Sequence, residues 1–247
     1  LLVLIVAAAS IILVGPGRYG FDAGRGWARR PFVGSFLALV LGIVFGLLRV
    51  SRSVWLRGIG TAYVDIFRGT PLLVQAFFIY FGIPSALHFQ MSALTAGIIT
   101  LSLNAGAYMT EIVRGGIISI DKGQFEAAHS IGMTHYQTMF SIVLPQAIRN
   151  ILPALSNEFV INIKDTSVLS VISVSELFFI SKSAAGANYR FFEVFLITCI
   201  VYFIMTFTVT RILRYFEILL EGPSVYTIHG SQTVPEAEIR ITNRERH

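Results

Sequence analysis

The stretch that decides the fold lies near the middle of the chain, from Glu126 to Pro145, and reads EAAHSIGMTHYQTMFSIVLP. Glu126 and the two alanines after it favour a helix, and Gly132 is typical of a position just past a helix C-terminus. Thr134 and Gln137 have the spacing of a capping box, which begins a second helix. The stretch therefore predicts a helix, a turn and a helix. Such a hairpin suits docking into a partner's groove, and an amphipathic linker is the alternative.

The composition around this stretch is that of a membrane protein. Of the 247 residues, 54% are hydrophobic and 13% are charged, whereas soluble domains carry about 25% charged residues. The apolar residues form runs of the length that crosses a bilayer, about 20 residues. The net charge of +5 comes almost entirely from arginine. We interpret this excess as a topology signal and not as nucleic-acid binding, because no basic stripe with interleaved aromatic residues is visible.

Apolar runs on both sides of the central stretch predict an all-α integral membrane protein. Gly42 and Gly46 lie in the first run at a spacing that lets helices approach closely, and Pro153 predicts a kink in the fourth. A further apolar stretch, Thr166–Ile180, is interpreted as a short helix at the outer face or dipping partway into the membrane. The motif RGTP, Arg68 to Pro71, is predicted to interrupt the second span near its start. The predicted spans are Phe32–Leu48, Tyr63–Gly82, Ser92–Val113, Gln146–Ile163 and Glu193–Leu213.

The central stretch also resembles a known motif. The sequence EAA, Gly132 after it and IVLP at Ile142–Pro145 are similar to the EAA loop of permease subunits in binding-protein-dependent ABC importers. Four ordered segments resemble the branch of that family that handles polar amino acids, and the resemblance runs from about Phe32 to Glu217. These segments are FRGTPLLVQAFFIYFG (Phe67–Gly82), NAGAYMTEIVRGGIISI (Asn104–Ile120), GQFEAA (Gly123–Ala128) and KDTSVLSVISVSEL (Lys164–Leu177).

The resemblance implies a type I importer permease of the MetI-like fold, with about five core transmembrane helices and a cytoplasmic coupling helix. It also implies a dimer in the lipid bilayer, made with a second copy of the chain or a homologous permease. Its further partners are two cytoplasmic ABC ATPase subunits and an extracytoplasmic solute-binding protein. ATP and Mg belong to the ATPase subunits, and this chain binds no cofactor. The residues implied to contact the ATPase are Gly123, Gln124, Glu126, Ala127, Ala128 and Gly132.

The residues agree that the chain is not itself an enzyme. It contains no G-x-x-x-x-G-K-[ST] phosphate loop, because Phe21 and Asp22 follow the glycine-spaced pair Gly15 and Gly20. The same glycines fit a dinucleotide fingerprint, but Pro16 lies inside it and no βαβ pattern surrounds it. The histidines show no metal-ligand spacing, so we predict no metal site and no catalytic residue.

The resemblance and the composition together divide the chain into three parts. Residues 1–31 hold an apolar run too short to cross alone and a Gly/Arg-rich loop, and we expect a truncated extra span there with residues upstream. Residues 32–220 form the transmembrane domain, with the coupling loop at about 121–145, and residues 221–247 form a polar tail. Arginines near the span ends indicate that the coupling loop and the C-terminus face the cytoplasm of a prokaryotic cell, although one arginine-rich loop at 18–30 fits this orientation poorly.

Polar groups inside the predicted spans are the candidates for the path of the amino acid, because polar groups in a bilayer are costly. Glu158, Asn162 and Asp165 lie at i, i+4 and i+7, on one helical face. Glu158 is expected to face the substrate's ammonium or a cationic side chain of the substrate, and the alternative is a structural pair with Lys164 or an arginine. Weaker candidates are Asn157, Gln75, Asn104 and Arg68.

Each weaker candidate has an alternative role. Gln75 and Asn104 are more simply explained by hydrogen bonds between helices. Arg68 could meet a carboxylate, or it could be an interfacial anchor or a partner contact. Glu111 and Arg114, at i and i+3, are predicted to pair at the membrane edge.

Two other functions remain open from the sequence. A secondary transporter or channel that acts alone would need inverted repeats or charged relays through several spans, and neither is visible. A permease-like scaffold would bind an ATPase without moving solute. The amino acid itself is not specified, because in this family the external binding protein does much of the selection.

Overall fold

The computed structural model describes the backbone of residues 30–51, 53–221, 227–229 and 238–240, and the side chains of residues 36–51 and 53–219. The predicted N-terminal span, its Gly/Arg-rich loop and most of the tail lie outside these residues. The tail contributes two short antiparallel strands, β1 (Thr227–His229) and β2 (Glu238–Arg240). The helices are α1 (Arg30–Val50), α2 (Val54–Gly69), α3 (Leu72–Leu87), α4 (Ala93–Ile118), α5 (Lys122–Ser130), α6 (His135–Thr138), α7 (Leu144–Asp165), α8 (Leu177–Asn188) and α9 (Phe191–Glu221).

Helix α4 lies at the centre of the bundle and packs against α1, α2 and α7. Its closest neighbour is α1, because glycines remove the side chains between them. A Cβ atom on Gly42 would lie 2.5 Å from Met109 Cβ, and one on Gly46 would lie 2.7 Å from Val113 Cγ1. The predicted close approach of the first span is therefore confirmed, and α4 is its partner.

The predicted second span, Tyr63–Gly82, is not one helix, and the interruption expected at RGTP is confirmed. Helix α2 ends at Gly69 and α3 begins at Leu72, with a bend of 101° between them. Proline disfavours the helical conformation in the residue before it, and Thr70, before Pro71, is extended with φ −116° and ψ 142°. The motif RGTP thus forms a corner within the bundle.

The stretch Thr166–Ile180 is also not one helix. A 3₁₀ helix (Thr166–Ile172) continues from α7 and ends at Ser173, which has a left-handed φ of 65°. Helix α8 then starts at Leu177, bent by 52° from the helical run before it. The left-handed conformation of Ser173 cannot continue a right-handed helix. The predicted helix is therefore divided between the 3₁₀ helix before Ser173 and α8 after it.

Two prolines, Pro84 and Pro145, change the hydrogen bonding of the helices that contain them. A π-helical turn precedes each of them: Phe78–Gly82 comes before Pro84, and Met139–Val143 comes before Pro145. Proline has no N–H and crowds the carbonyl four residues earlier, so the local hydrogen bonds shift to the i+5 pattern. The helix continues through Pro84, and Pro145 lies in the first turn of α7.

By length and composition, one described helix, Phe191–Leu219 within α9, could cross a membrane by itself. Two more membrane crossings are counted if each bent pair of helices is taken as one span. These pairs are α2 with α3, and the helical run His135–Ile172 with α8. Helix α4 buries small and polar residues such as Ala96, Gly97, Thr100 and Asn104. Because other helices cover these residues, α4 does not need a continuous apolar surface.

Candidate functional site

The central stretch forms the predicted helix, turn and helix, which we call the coupling segment (residues 121–145). Asp121 caps α5, because its Oδ1 accepts the N–H of Gly123 at 2.6 Å. Gly132 has φ +81° and donates to His129 O, while the next residue donates to Ala128 O, both at 3.0 Å. These two bonds are those of a Schellman motif, which needs a left-handed residue at this position.

The capping box at the start of α6 is also confirmed. Thr134 Oγ1 accepts the N–H of Gln137 at 3.4 Å, and Gln137 Oε1 accepts the N–H of Thr134 at 2.8 Å. Both ends of the turn are therefore closed by specific hydrogen bonds. The segment is held as a defined shape and is not a loose linker.

Five of the six residues implied to contact an ATPase are exposed, namely Gly123, Gln124, Glu126, Ala127 and Gly132. Ala128 is the exception, because it is 1% exposed. It faces the chain's own bundle, so its predicted role as a contact residue is corrected to one of seating α5.

Hydrogen bonds from α7 reach α5 in the coupling segment and the end of α4 just before it. Asn150 of α7 donates to Ser119 Oγ, at the end of α4, at 2.9 Å. Gln146 of α7 donates to Gln124 Oε1 of α5 at 3.4 Å. Beneath these contacts lies a buried cluster of Ile120, Val143 and Ala147.

The outer surface of the coupling segment carries apolar side chains that the sequence analysis did not single out. Ile131 and Tyr136 are each 77% exposed, and Phe140 is 67% exposed. Ile131 directly precedes the turn glycine, Gly132, and Tyr136 lies in α6 directly after the turn. These apolar side chains could have been noticed in the sequence, because they occur at and after the turn residues, where polar side chains are usual.

Glu158 lies on α7 with its side chain turned into the bundle, where the residue is 7% exposed. Asn162 donates its Nδ2 to Glu158 O at 2.9 Å and to Glu158 Oε1 at 3.3 Å. No cation lies within ion-pair distance of Glu158 among the described side chains. The alternative of a structural pair with Lys164 or an arginine is therefore not seen in this part of the chain.

The neighbours of Glu158 show which of the other candidates share its face. Asp165 is half-buried, and both Asp165 and Arg68 act electrostatically on the Glu158 carboxylate. Asn157 is exposed on another side of α7. The structure thus brings together Glu158, Asn162 and Asp165, with Arg68 nearby, and leaves Asn157 apart.

Gln75 and Asn104 lie at the corner between α2 and α3. Gln75 Nε2 donates to Phe67 O at 2.8 Å, to Thr70 O at 3.0 Å and to Thr70 Oγ1 at 2.8 Å. Asn104 Nδ2, on α4, donates to Phe67 O and to Gln75 Oε1, both at 3.2 Å. These bonds occupy the carbonyls that the helix break leaves free, so the two amides hold the corner as interhelical hydrogen bonds.

Arg68 lies beside α4, at the end of α2. Its guanidinium is 5.0 Å from the centre of the Tyr108 ring and 3.9 Å from Glu111. The predicted pair of Glu111 with Arg114 is confirmed, since Arg114 Nη2 donates to Glu111 Oε2 at 3.0 Å.

No group of three His, Cys, Asp or Glu side chains in the described residues could hold a metal ion.

Glu176 is a buried carboxylate that the sequence analysis did not identify. It is 4% exposed and accepts the N–H groups of Phe178 and Phe179 at 2.7 and 2.5 Å and the hydroxyl of Tyr202 at 3.1 Å. It therefore caps α8 and ties that helix to α9. The signal in the sequence is an acidic residue directly before an apolar run, which is an N-cap pattern.

The model of the family described as "Binding-protein-dependent transport system inner membrane component" matches residues 38–220 of the chain. The arginine transport system permease protein ArtQ of Bacillus subtilis is 37% identical over 180 residues, which are 73% of this chain and 82% of ArtQ. The glutamine transport system permease protein GlnP of Escherichia coli K12 is 36% identical over 180 residues, covering 72% of this chain and 82% of GlnP.

A solved structure is similar over the same region. It is a crystal structure of an amino acid ABC transporter with histidines, 38% identical in sequence, with a TM-score of 0.72. The similarity covers 76% of this chain and 87% of the other. The bundle described above thus has the arrangement of an ABC transporter membrane subunit.

Proposed function

The chain belongs to the family of binding-protein-dependent transport system inner membrane components, and on this premise we propose its function. It is a permease subunit of an ATP-driven ABC importer that moves a polar or charged amino acid across the cytoplasmic membrane. The similarity to permeases of arginine and glutamine transport systems supports this substrate class. The chain is a non-catalytic subunit.

The observation that carries the proposal is the construction of the coupling segment. It is closed by a Schellman motif and a capping box, it is seated on α4 and α7, and its outer face carries Ile131 and Tyr136. A rigid, exposed segment with an apolar tip fits a groove on a cytoplasmic ATPase, which holds the ATP and Mg. Glu126, Ala127 and Gly132 lie on the accessible side and would contribute to that contact.

A second permease, either another copy or a homologue, completes the translocation path in this proposal, and a solute-binding protein delivers the amino acid from outside. The coupling segment and the C-terminus face the cytoplasm in a multi-pass arrangement. A force on the coupling segment reaches α7 through the bond of Gln146 to Gln124, and Asn150 joins α7 to Ser119 at the end of α4.

Glu158 is the proposed contact for the ammonium group of the amino acid. A buried carboxylate without an arginine or lysine in ion-pair range is costly in a bilayer and is a functional candidate by default. Asn162 orients this carboxylate, while Asp165 and Arg68 are near enough to act on it electrostatically. Gln75, Asn104 and Asn157 remain predicted path residues with less support, because two of them hold the corner and the third is exposed.

The proposal is tested by reconstituting the permease with its ATPase and binding protein in proteoliposomes and measuring uptake of a panel of amino acids. Glu158→Gln should raise the apparent substrate concentration for half-maximal uptake about 10-fold or more, as the loss of a charged hydrogen bond does. Glu193→Gln is the matched control, since Glu193 is an exposed carboxylate at the start of α9. Unchanged uptake of every amino acid in the Glu158 variant would contradict its role.

The same preparation separates the other two functions. Uptake by the permease without the ATPase would indicate a secondary transporter or channel. A complex that binds the ATPase and hydrolyses ATP but takes up no amino acid would indicate a scaffold.

A further inference from the structure

We propose that an ion cluster near the C-terminal end of α4 positions three helices as one unit that moves with the coupling segment. The cluster consists of Arg49, Arg68, Glu111 and Arg114, and is called the Glu111 cluster below. Arg49 and Glu111 are its positioning residues. The inference rests on the proposed function and adds to it how motion of the coupling segment reaches α1 and α2.

The cluster is centred on one carboxylate that is shared between three helices. Glu111 of α4 forms an ion pair with Arg49 of α1 and lies 3.9 Å from Arg68 of α2. Arg114, on α4 itself, donates from Nε at 3.1 Å and from Nη2 at 3.0 Å. Because Arg49 and Arg68 come from different helices, the carboxylate joins helices, and Arg114 only fixes its rotamer.

The burial and charge of the cluster make this connection strong. The side chains of Arg49 and Glu111 are 16% and 22% exposed, so water screens their pair much less than it screens a surface pair. Three guanidinium groups around one carboxylate leave a formal surplus of two positive charges. Removing Glu111 would leave the largely buried Arg49 without its ion-pair partner beside the more exposed Arg68 and Arg114, which costs more than the loss of a surface pair.

The backbone is also built for close contact at this position. Gly60 of α2 lies against Arg49, since a Cβ on Gly60 would be 2.6 Å from Arg49 Cγ. Arg68 stacks on Tyr108 of α4, at 5.0 Å from the ring centre. The arginines are therefore held by packing as well as by charge, and the helices cannot slide without breaking these contacts.

The cluster is linked to the coupling segment by α4. Glu111 lies seven residues before the last residue of α4, a rise of about 10 Å. Three residues, Ser119 to Asp121, separate α4 from α5. A displacement of α5 therefore acts on α4 close to the cluster, and the cluster passes it to α1 and α2.

The test compares two arginines that share the same carboxylate. Arg49→Gln removes a bond between helices, whereas Arg114→Gln removes a bond within α4 and is the matched control. In proteoliposomes with the ATPase and binding protein, Arg49→Gln should lower the amount of amino acid transported per ATP by about 2- to 30-fold, the range for residues in a coupling network. Arg114→Gln should lower it by less than about 2-fold.

A purely structural role predicts a different result. Transport and ATP hydrolysis would then fall in parallel in the Arg49 variant, with an unchanged ratio, and this outcome would overturn the proposal. An equal change in the amount of amino acid transported per ATP in both arginine variants would also overturn the proposal. The bond between helices would then matter no more than the bond within α4.

Charge repulsion is tested with Glu111→Gln alone and combined with Arg49→Gln. The double variant restores the surplus of two positive charges, so it should recover part of the ratio lost in Glu111→Gln. A double variant that is no better than Glu111→Gln contradicts the argument from charge.

Hydrogen exchange gives a readout that does not depend on transport. Arg49→Gln should increase amide exchange in the last turns of α1, while Arg114→Gln should leave it unchanged. If the wild-type complex transports no amino acid, the proposed function fails, and the exchange experiment still decides whether the cluster holds α1. Equal exchange in α1 for both variants would count against the cluster.

Discussion

Replacement of Gly132 by alanine is the sharpest perturbation of the coupling segment. Gly132 has φ +81°, in the left-handed region, and a Cβ added there would meet nothing within 4 Å. Steric contacts with neighbours therefore contribute no cost, and the whole effect comes from the backbone. An L-residue in this conformation costs about 1–2 kcal/mol, which corresponds to a population shift of about 5- to 30-fold.

The cost should appear as a change in the shape of the coupling segment. The segment can relieve the strain by opening the turn, since the two bonds of the Schellman motif close the backbone at Gly132. An opened turn moves Glu126 relative to Ile131 and Tyr136, so the segment no longer fits one groove. We expect the amount of amino acid transported per ATP to fall about 5-fold or more, while substrate capture by the binding protein is unchanged.

The assay is uptake and ATP hydrolysis in the same proteoliposomes, with two matched variants. Gly132→Asn should lose less than Gly132→Ala, because asparagine adopts the left-handed conformation more readily. Gly58→Ala makes the same chemical change inside α2, where the added Cβ also meets nothing within 4 Å, and it should be neutral or slightly stabilising. A Gly132→Ala variant that transports normally, or an asparagine variant as impaired as the alanine one, would refute the reasoning.

Two further predictions concern the stability of the bundle in detergent. Gly42→Ala should lower the free energy of unfolding by about 1–3 kcal/mol, because the added Cβ would lie 2.5 Å from Met109 Cβ. Gly115→Ala is the control and should not lower it, because an added Cβ there meets nothing within 4 Å. Equal thermal unfolding of the two variants would contradict this prediction. Gln75→Leu should cost about 1–3 kcal/mol, since it removes the amide that bonds Thr70 O and the oxygen that accepts from Asn104, while Phe67 O keeps its bond from Asn104. Denaturation that is no easier than for the wild type would show that water replaces the amide.

Local patterns in the sequence were sufficient for the coupling segment and for most of the helices. The capping box at Thr134 and the left-handed glycine at Gly132 are encoded within a few residues, so they were predicted and are confirmed. The pair of Glu111 with Arg114 was predicted for the same reason, because i and i+3 positions meet on any helix. The corner at Thr70–Pro71 was visible as a break but not as a bend of 101°, since its angle depends on Gln75 and Asn104 from outside the motif.

The sequence by itself determined that this is a helical membrane protein with a rigid coupling segment, because composition, helix caps and proline effects act within a few residues of the chain. Tertiary structure alone decided which side chains face each other. It turned Ala128 inward, left Glu158 without a cation in the described bundle and gathered Arg49 and Arg68 around Glu111. The reason is physical: the orientation of a helix about its own axis is set by the helices packed against it, and these lie far away in the sequence.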